Sequence, residues 1–451
     1  MNEEYERFSR IGFIFVMIGG VLGLGNIWRF PYLAGEYGGT FVILYIAMSL
    51  CLSLPLIIAE TLIGKMTHKE PISAFDKLAP AKKKYWRWIG LQFITPLFAL
   101  TFYWVVLCWV FIYLIYSIFT LPDSGALAKD LFTDIVKNDA ITQLIYHAII
   151  VFLTSSIVLC GLHKGIERAN RILIPLAFFI ILFLLAYAIA TPSFTKALSF
   201  MFAPDFSNLS INVVLAAIGQ AFFSMSLGMA VFITYSFEST ARIKTWRSSV
   251  VVTIVDILVS IAAGIIIFTF LFNENLPLNQ GSELVFASIP SALASFDSFG
   301  QILTIAFFAV LLLSALACSI SLLEPATSFL VQRFGWRRDR AILLPLLLAY
   351  LMSMAVLFSN VNGYEFLSVC GKSLFEFSQF LTVDIMMPIG AFFTAFFIGF
   401  IANREEIAVE LKKERIDKKA IAVWFFMIRY FAPILIFATF VTIVARVVWS
   451  F

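Results

Sequence analysis

Long apolar stretches recur from one end of this chain to the other, and that recurrence fixes the solvent in which it must fold. A helix needs about 20 apolar residues to cross roughly 30 Å of hydrocarbon. Stretches of that kind fall near 11–36, 39–66, 89–120, 141–161, 167–190, 212–238, 246–272, 299–332, 341–358, 371–401 and 422–449. The 451 residues are 61% hydrophobic and only 13% charged, too little charge to wet a soluble surface. In hydrocarbon every backbone donor and acceptor must be satisfied within the chain, which selects helices. The expected architecture is an all-α membrane protein with about eleven transmembrane helices. It forms one domain over 1–451, with no soluble module.

The net charge of +4 is explained by its placement. With the N-terminus in the cytoplasm, one side receives Arg7 and Arg10, then Lys82, Lys83, Lys84 and Arg87, then Lys164, Arg168 and Arg171. The same side receives Arg242, Lys244 and Arg247, then Arg333, Arg337, Arg338 and Arg340, and finally Lys412, Lys413, Arg415, Lys418 and Lys419. Lys129, Lys137 and Lys196 are the main cations opposite. This is the positive-inside pattern, and it predicts a multi-pass protein of the cell's inner (plasma) membrane. The N-terminus is then cytoplasmic and, after an odd number of spans, the C-terminus extracytoplasmic. The basic residues face the lipid bilayer's surface, and no nucleic-acid partner is expected. The 402–420 stretch reads as a solvated loop, and residues 273–298 as short helices capping the outer face.

The first apolar run lacks a small-x-small cleavage site, so it reads as a retained helix. Cysteines 51, 108, 160, 318 and 370 have neither disulfide nor zinc spacing, and the three histidines sit in no metal-binding cluster. No nucleophile–base pair appears, so an enzyme is not expected.

Two spans are interrupted by glycine at mid-depth. One reads Gly19-Gly20-Val21-Leu22-Gly23-Leu24-Gly25-Asn26, the other Ser224-Met225-Ser226-Leu227-Gly228-Met229-Ala230. Each opens a block of five helices, the pattern of an inverted repeat built around a binding site. Glycine lowers the steric cost of leaving helical geometry, and the backbone groups so freed need a ligand or a cavity. Repeat one is placed at about 11–190, repeat two at about 212–401, and an extra helix at about 422–449.

The run Gly23-Leu24-Gly25-Asn26-Ile27-Trp28-Arg29-Phe30-Pro31-Tyr32 closely resembles the first-helix signature of the neurotransmitter:sodium symporter family. Gln220 to Gly228 and Ser319-Ile320-Ser321-Leu322-Leu323-Glu324-Pro325 resemble its sixth and eighth helices. The resemblance extends over essentially the whole chain and lacks a twelfth helix, as in many bacterial members. It implies the LeuT-like fold, an inverted 5+5 repeat with helices 1 and 6 unwound. It also implies sodium-driven uptake of an amino acid or amine.

Carried onto this sequence, the resemblance places the substrate carboxylate at the Leu24 and Gly25 amides and the Tyr103 hydroxyl. Carbonyls of Val21, Phe223 and Ser224, with the Ser226 hydroxyl, receive the ammonium. Ala99, Phe223, Met229 and Leu322 line the side-chain pocket, whose small Ala99 and flexible Met229 suit a bulky hydrophobic or aromatic L-amino acid. Val21, Asn26, Ser224 and Asp256 match the first sodium site. Asp256 lies deep in an apolar helix with no basic neighbour in sequence, a functional position by default. Its charge replaces chloride, which is not expected, although Tyr45, Gln220, Ser224 and Ser260 resemble chloride-pocket positions.

The second sodium site departs from the family. Carbonyls of Gly19, Leu22 and Ser314 are retained, but Ala317 and Cys318 replace a Thr-Ser pair. Alanine offers no ligand, and a thiol suits a hard cation poorly. One coupled sodium is therefore expected, unless Ser319 supplies the missing hydroxyl. At the outer gate Arg29 faces Gln379 where the family has an acid, with Glu376 and Asp384 as substitutes nearby. The inner gate's Arg-Asp pair falls on Glu4 and Gln332, with Arg7, Arg10 and Glu238 as replacements. The alternatives are a sodium-independent or proton-coupled permease on the same fold, and a non-transporting amino-acid sensor. The amino acid and the oligomeric state stay open.

Overall fold

The computed structural model describes residues 8–119, 125–203, 205–240, 243–276, 278, 284–364, 366–369 and 371–449. Nine helices among them are long and apolar enough to cross a membrane. Arg10–Val21 and Ile211–Ser224 are too short to do so alone. Each continues past a break, Arg10–Val21 into the helical segment that starts at Gly25 and Ile211–Ser224 into Val231–Phe237. The outer half of the first span then turns at Gly38 into the second span, which ends at Thr67. Counting the two broken spans gives eleven passes, and the chain has the LeuT-like fold.

The third span is Thr95–Phe119, entered by a tight 3₁₀ stretch at Lys84–Ile94. The fourth is Ala140–Leu159 and the fifth Arg168–Ala190. Thr245–Asn273 forms the seventh, Asp297–Phe334 the eighth and Arg338–Ala341 with Leu343–Phe358 the ninth. The tenth runs from Leu374 to Ile401 and the eleventh from Lys418 to Trp449. The eighth span packs along the third and fifth and against the inner half of the first. The seventh packs beside the outer half of the first at its π-turn, Gly25–Arg29. Both breaks therefore sit in the centre of the bundle, among fully buried side chains.

The connecting stretches carry helices of their own. Gly125–Lys137, Phe194–Phe202 and Ile289–Ala294 lie on the side opposite the N-terminus, the last within the stretch read as capping helices. The 402–420 stretch is more than a solvated loop. It contains the helix Arg404–Lys413, and Glu414 just beyond it is buried. Glu414 accepts from Lys65 Nζ at 2.8 Å and from the backbone N–H of Thr245 and Trp246 at 2.7 and 3.0 Å. A carboxylate at this position caps the N-terminus of the seventh span, where the helix dipole favours negative charge.

Candidate functional site

The first span leaves helical geometry at Leu22, whose backbone is extended (φ −74°, ψ 116°). A Cβ at Gly23 would stand 2.3 Å from Tyr103 Oη, and one at Gly25 would stand 3.0 Å from Ser224 Cα. The break thus lets neighbouring spans approach where a side chain would block them. The freed Leu24 N–H donates to Tyr103 Oη at 3.2 Å, and Gly23 N–H donates to Asn26 Oδ1 at 3.1 Å. In the sixth span, Ser226, Gly228 and Ala230 all adopt positive φ (48°, 69° and 57°). Gly228 also abuts the tenth span, where a Cβ would meet Met387 O at 2.2 Å. The two breaks are stitched together. Ser226 Oγ donates to Gly20 O at 2.8 Å, and Gln220 Nε2 donates to Gly25 O at 2.7 Å.

Between the breaks lies a small, tightly closed cavity, about 10 Å³ in volume and lined by ten residues. Val21, Gly25, Ala99, Tyr103, Phe223, Ser226, Met229 and Leu322 were expected at the substrate site and are brought together here. Gly23 and Cys318 complete the wall. Leu24 contributes through its amide, as above. Ser224 faces the other way, into the carboxylate cluster on the seventh span.

That cluster centres on Asp256, which is 0% exposed. Its carboxylate accepts from Asn26 Nδ2 (2.7 Å), Tyr45 Oη (2.5 Å) and Ser224 Oγ (3.2 Å). Ser260 bonds to Asn26 Nδ2 at 2.9 Å and lies 3.1 Å from Tyr45 Oη. Every donor is neutral, and Asp256 forms no salt bridge among the described residues. A buried carboxylate without a counter-charge is costly, so this geometry suits a small cation with oxygen ligands. Asn26, Ser224 and Asp256 meet as the sequence pattern expected, and Val21 lies on the adjoining cavity wall. Of the four positions resembling a chloride pocket, Tyr45, Ser224 and Ser260 surround the carboxylate, while Gln220 turns to Gly25.

The other side of the first break is built differently. Ala317 offers only its carbonyl, which accepts from Ser321 Oγ at 3.1 Å. Cys318 points its thiol into the cavity between the breaks, with Sγ 4.0 Å from Gly20 O. Ser319 donates to Leu316 O at 3.0 Å and pairs with Thr154 of the fourth span at 2.9 Å, so its hydroxyl is engaged there. Ser314 Oγ is buried without a partner among the described residues. Leu22 is buried, its N–H on Ile18 O at 2.8 Å. Sequence reasoning missed Asn170 of the fifth span. Its Oδ1 has no partner among the described residues and stands 1.9 Å from where a Cβ on Gly19 would be.

At the outer gate, Arg29 donates to Gly219 O at 3.1 Å and lies 5.2 Å over the Phe223 ring. Gln379 makes no hydrogen bond to Arg29 among the described residues. Glu376 is exposed and occupied in a capping box with Ser373. The carboxylate whose charge reaches Arg29 is Asp384, one turn further along the tenth span. On the inner side, Gln332 Nε2 donates to Glu238 Oε1 at 3.2 Å. Glu4 and Arg7 lie outside the described residues, and Arg10 is exposed.

The inner half of the first span is held instead by Glu167, a residue that no sequence pattern singled out. Glu167 is 1% exposed and accepts from Ser9 Oγ at 2.7 Å and Ser9 N at 3.4 Å. Arg171 pairs with it at 2.6 Å and His163 at 2.8 Å. Gly12 makes room for it, since a Cβ there would lie 1.9 Å from Glu167 Oε1.

Two broken helices, facing each other around a small closed cavity beside a buried carboxylate, define a secondary transporter of the inverted-repeat kind. The chain belongs to the sodium:neurotransmitter symporter family, whose model matches residues 4–128 and 129–449. This is a family of transporters, not of enzymes. An uncharacterized sodium-dependent transporter of Haemophilus influenzae is 29% identical over 453 residues, with 98% of each chain covered. The transporter YhdH of Bacillus subtilis, likewise described as uncharacterized and sodium-dependent, is 28% identical over 97% of each chain. Among solved structures, MhsT in complex with L-phenylalanine superposes with a TM-score of 0.88 at 32% identity. That match covers 97% of this chain and 99% of MhsT.

Proposed function

We propose that this protein imports a hydrophobic or aromatic L-amino acid together with one sodium ion, by alternating access between the two sides of the bilayer. The observation that carries the reading is the cavity itself. Its walls at Ala99, Phe223, Met229 and Leu322 are apolar, and its ends at Leu24 and Ser226 are polar. A zwitterion with an apolar side chain fits that division. The carboxylate goes to the Leu24 and Gly25 amides with Tyr103, at the positive end of the outer half-helix. The ammonium goes to the carbonyls of Val21, Phe223 and Ser224 and to the Ser226 hydroxyl. The solved MhsT complex with L-phenylalanine supports the same substrate class.

Sodium takes the Val21 carbonyl, Asn26, Ser224 and Asp256. The Gly19, Leu22, Ser314, Ala317 and Cys318 side stays unused for a second ion, because the Ala317–Cys318 pair brings no hydroxyl. Asp256 supplies the anion that chloride supplies elsewhere, so transport is chloride-independent. The reading also takes residues 1–451 as one transporter domain, with repeats at about 11–190 and 212–401 and an eleventh span at about 422–449. The N-terminus is cytoplasmic and the C-terminus extracytoplasmic, in the cell's inner membrane. Arg29 closes the outer side with Asp384 as its charge partner.

Proteoliposomes separate the alternatives. Uptake of L-phenylalanine or L-leucine driven by an imposed sodium gradient, and undiminished when gluconate replaces chloride, is expected. Uptake driven by a proton gradient without sodium identifies a proton-coupled permease. Binding without net flux identifies a sensor.

A further inference from the structure

Where the third span begins, on the face that carries the N-terminus, a groove opens between it and the tenth span. Trp86, Trp88, Leu91, Met386, Ile389 and Phe393 line it, around a volume of about 440 Å³. Beyond Ile389 and Phe393 the trough continues between the tenth and eleventh spans, along Phe392 and Phe437, for about a further 250 Å³. Gln92 and Trp86 set polar atoms behind this apolar wall. Gln92 is 6% exposed, and its Oε1 accepts from Thr394 Oγ1 at 3.4 Å. Its Nε2 and Trp86 Nε1 are buried and find no acceptor among the described residues.

The mouth of the groove is cationic. Lys82, Lys83 and Arg87 are exposed and form no ion pair among the described residues. The Arg87 guanidinium lies 4.8 Å over the Trp88 ring. Lys84, by contrast, is already engaged by Asp76 at 3.9 Å and by backbone carbonyls. Tyr85 and Trp88 are 59% and 54% exposed, as side chains of an interfacial belt are. From the mouth inward, the order is unpaired cations, aromatic rings and an apolar trough.

We propose that this groove is a binding site for one anionic phospholipid of the surrounding leaflet. The phosphate sits on Lys82, Lys83 and Arg87, and the ester region lies against the exposed Tyr85 and Trp88 rings. An acyl chain lies along Ile389 and Phe393. The charge complementarity selects an anionic headgroup over a neutral one, and the length and dryness of the trough select an acyl chain over a soluble anion. The site has a route to the transport machinery. A Cβ on Gly390 would lie 3.1 Å from Gln92 Oε1 and 2.4 Å from Gly228 O, at the second break.

The test counts lipids on the full-length protein in detergent by native mass spectrometry, during titration with phosphatidylglycerol or phosphatidylcholine. One phosphatidylglycerol is expected to bind at concentrations where phosphatidylcholine does not. Lys82→Gln, Lys83→Gln and Arg87→Gln are each expected to weaken it about fivefold, since a basic side chain at an anionic surface contributes that much. Ile389→Trp keeps the cations but fills the trough, and is expected to abolish the tightly bound lipid. The melting temperature of each variant reports whether it folds, and the exposed lysines are the safest of these positions. Equal retention of phosphatidylcholine, or undiminished phosphatidylglycerol binding by the triple charge variant, would overturn the proposal. So would a stable dimer in which a cysteine introduced at Leu91 cross-links two copies, because the groove would then be an interface.

Discussion

The two sides of the first break expose the same kind of backbone yet present opposite chemistry. On the Asn26 side, three side chains from three spans converge on one buried carboxylate, and every contact is from a neutral oxygen or nitrogen donor. On the Gly19 side stand Ala317, a thiol that faces the substrate cavity, and a serine hydroxyl bonded elsewhere. Unwinding a helix frees carbonyls in both directions. Whether those carbonyls become an ion site is decided by what the neighbouring spans place opposite them. The Asn26 side carries a buried carboxylate without a counter-charge, which a bound cation or a proton would neutralise. The Gly19 side leads to an inner half-helix that protein groups hold, through Glu167 and its partners.

The largest effect is expected at the charged side. Asp256→Asn should reduce sodium-dependent uptake by about a hundredfold in chloride-free medium, with partial recovery when chloride is added. Retention of wild-type sodium affinity would dissolve the contrast between the two sides. Glu167→Gln leaves the shape of the inner anchor but removes its charge. It should expose a reporter cysteine on the inner half-helix to a membrane-impermeant thiol reagent about tenfold faster, with the protein still folded. An unchanged labelling rate would mean that something other than Glu167 holds that half-helix.

Tyr103→Phe removes the hydroxyl that meets Leu24 N–H, and should weaken amino-acid binding about fivefold to tenfold while leaving sodium affinity nearly intact. Isothermal titration with L-phenylalanine at saturating sodium measures this directly. The smallest change is the most discriminating. Ala317→Thr with Cys318→Ser supplies the hydroxyls that the Gly19 side lacks, and should raise the Hill slope for sodium from about one toward two. A wild-type slope already near two would show that the poor side binds an ion without them.

Much of this arrangement was legible in the residues. Periodic apolar length gave the spans, and paired glycines gave the breaks. A lone aspartate in an apolar helix marked the seventh span. What stayed hidden depends on side-chain direction between helices distant in sequence. Cys318 aligns with an ion ligand, but its position on the eighth span turns the thiol toward the substrate cavity. Gln379 aligns with a gate acid, yet the charge that reaches Arg29 comes from Asp384, about one helical turn away. Glu167 gave no sequence signal because it reads as an ordinary charge at a cytoplasmic helix end. A glycine at position 12, outside any turn motif, was the one available hint. Glu414 was hidden for the same reason, within a stretch whose other charges are mostly exposed.

The fit of Gly12 over Glu167 has a consequence for how the inner half-helix returns after each transport cycle. A surface that admits only a hydrogen at one position works as a keyway. With only a hydrogen at position 12 the half-helix seats with Ser9 on the carboxylate, whereas any side chain there would push the Glu167 carboxylate out of that bond. Alanine at position 12 would therefore leave the ligand cavity untouched while loosening the anchor that Glu167 gives the inner half-helix.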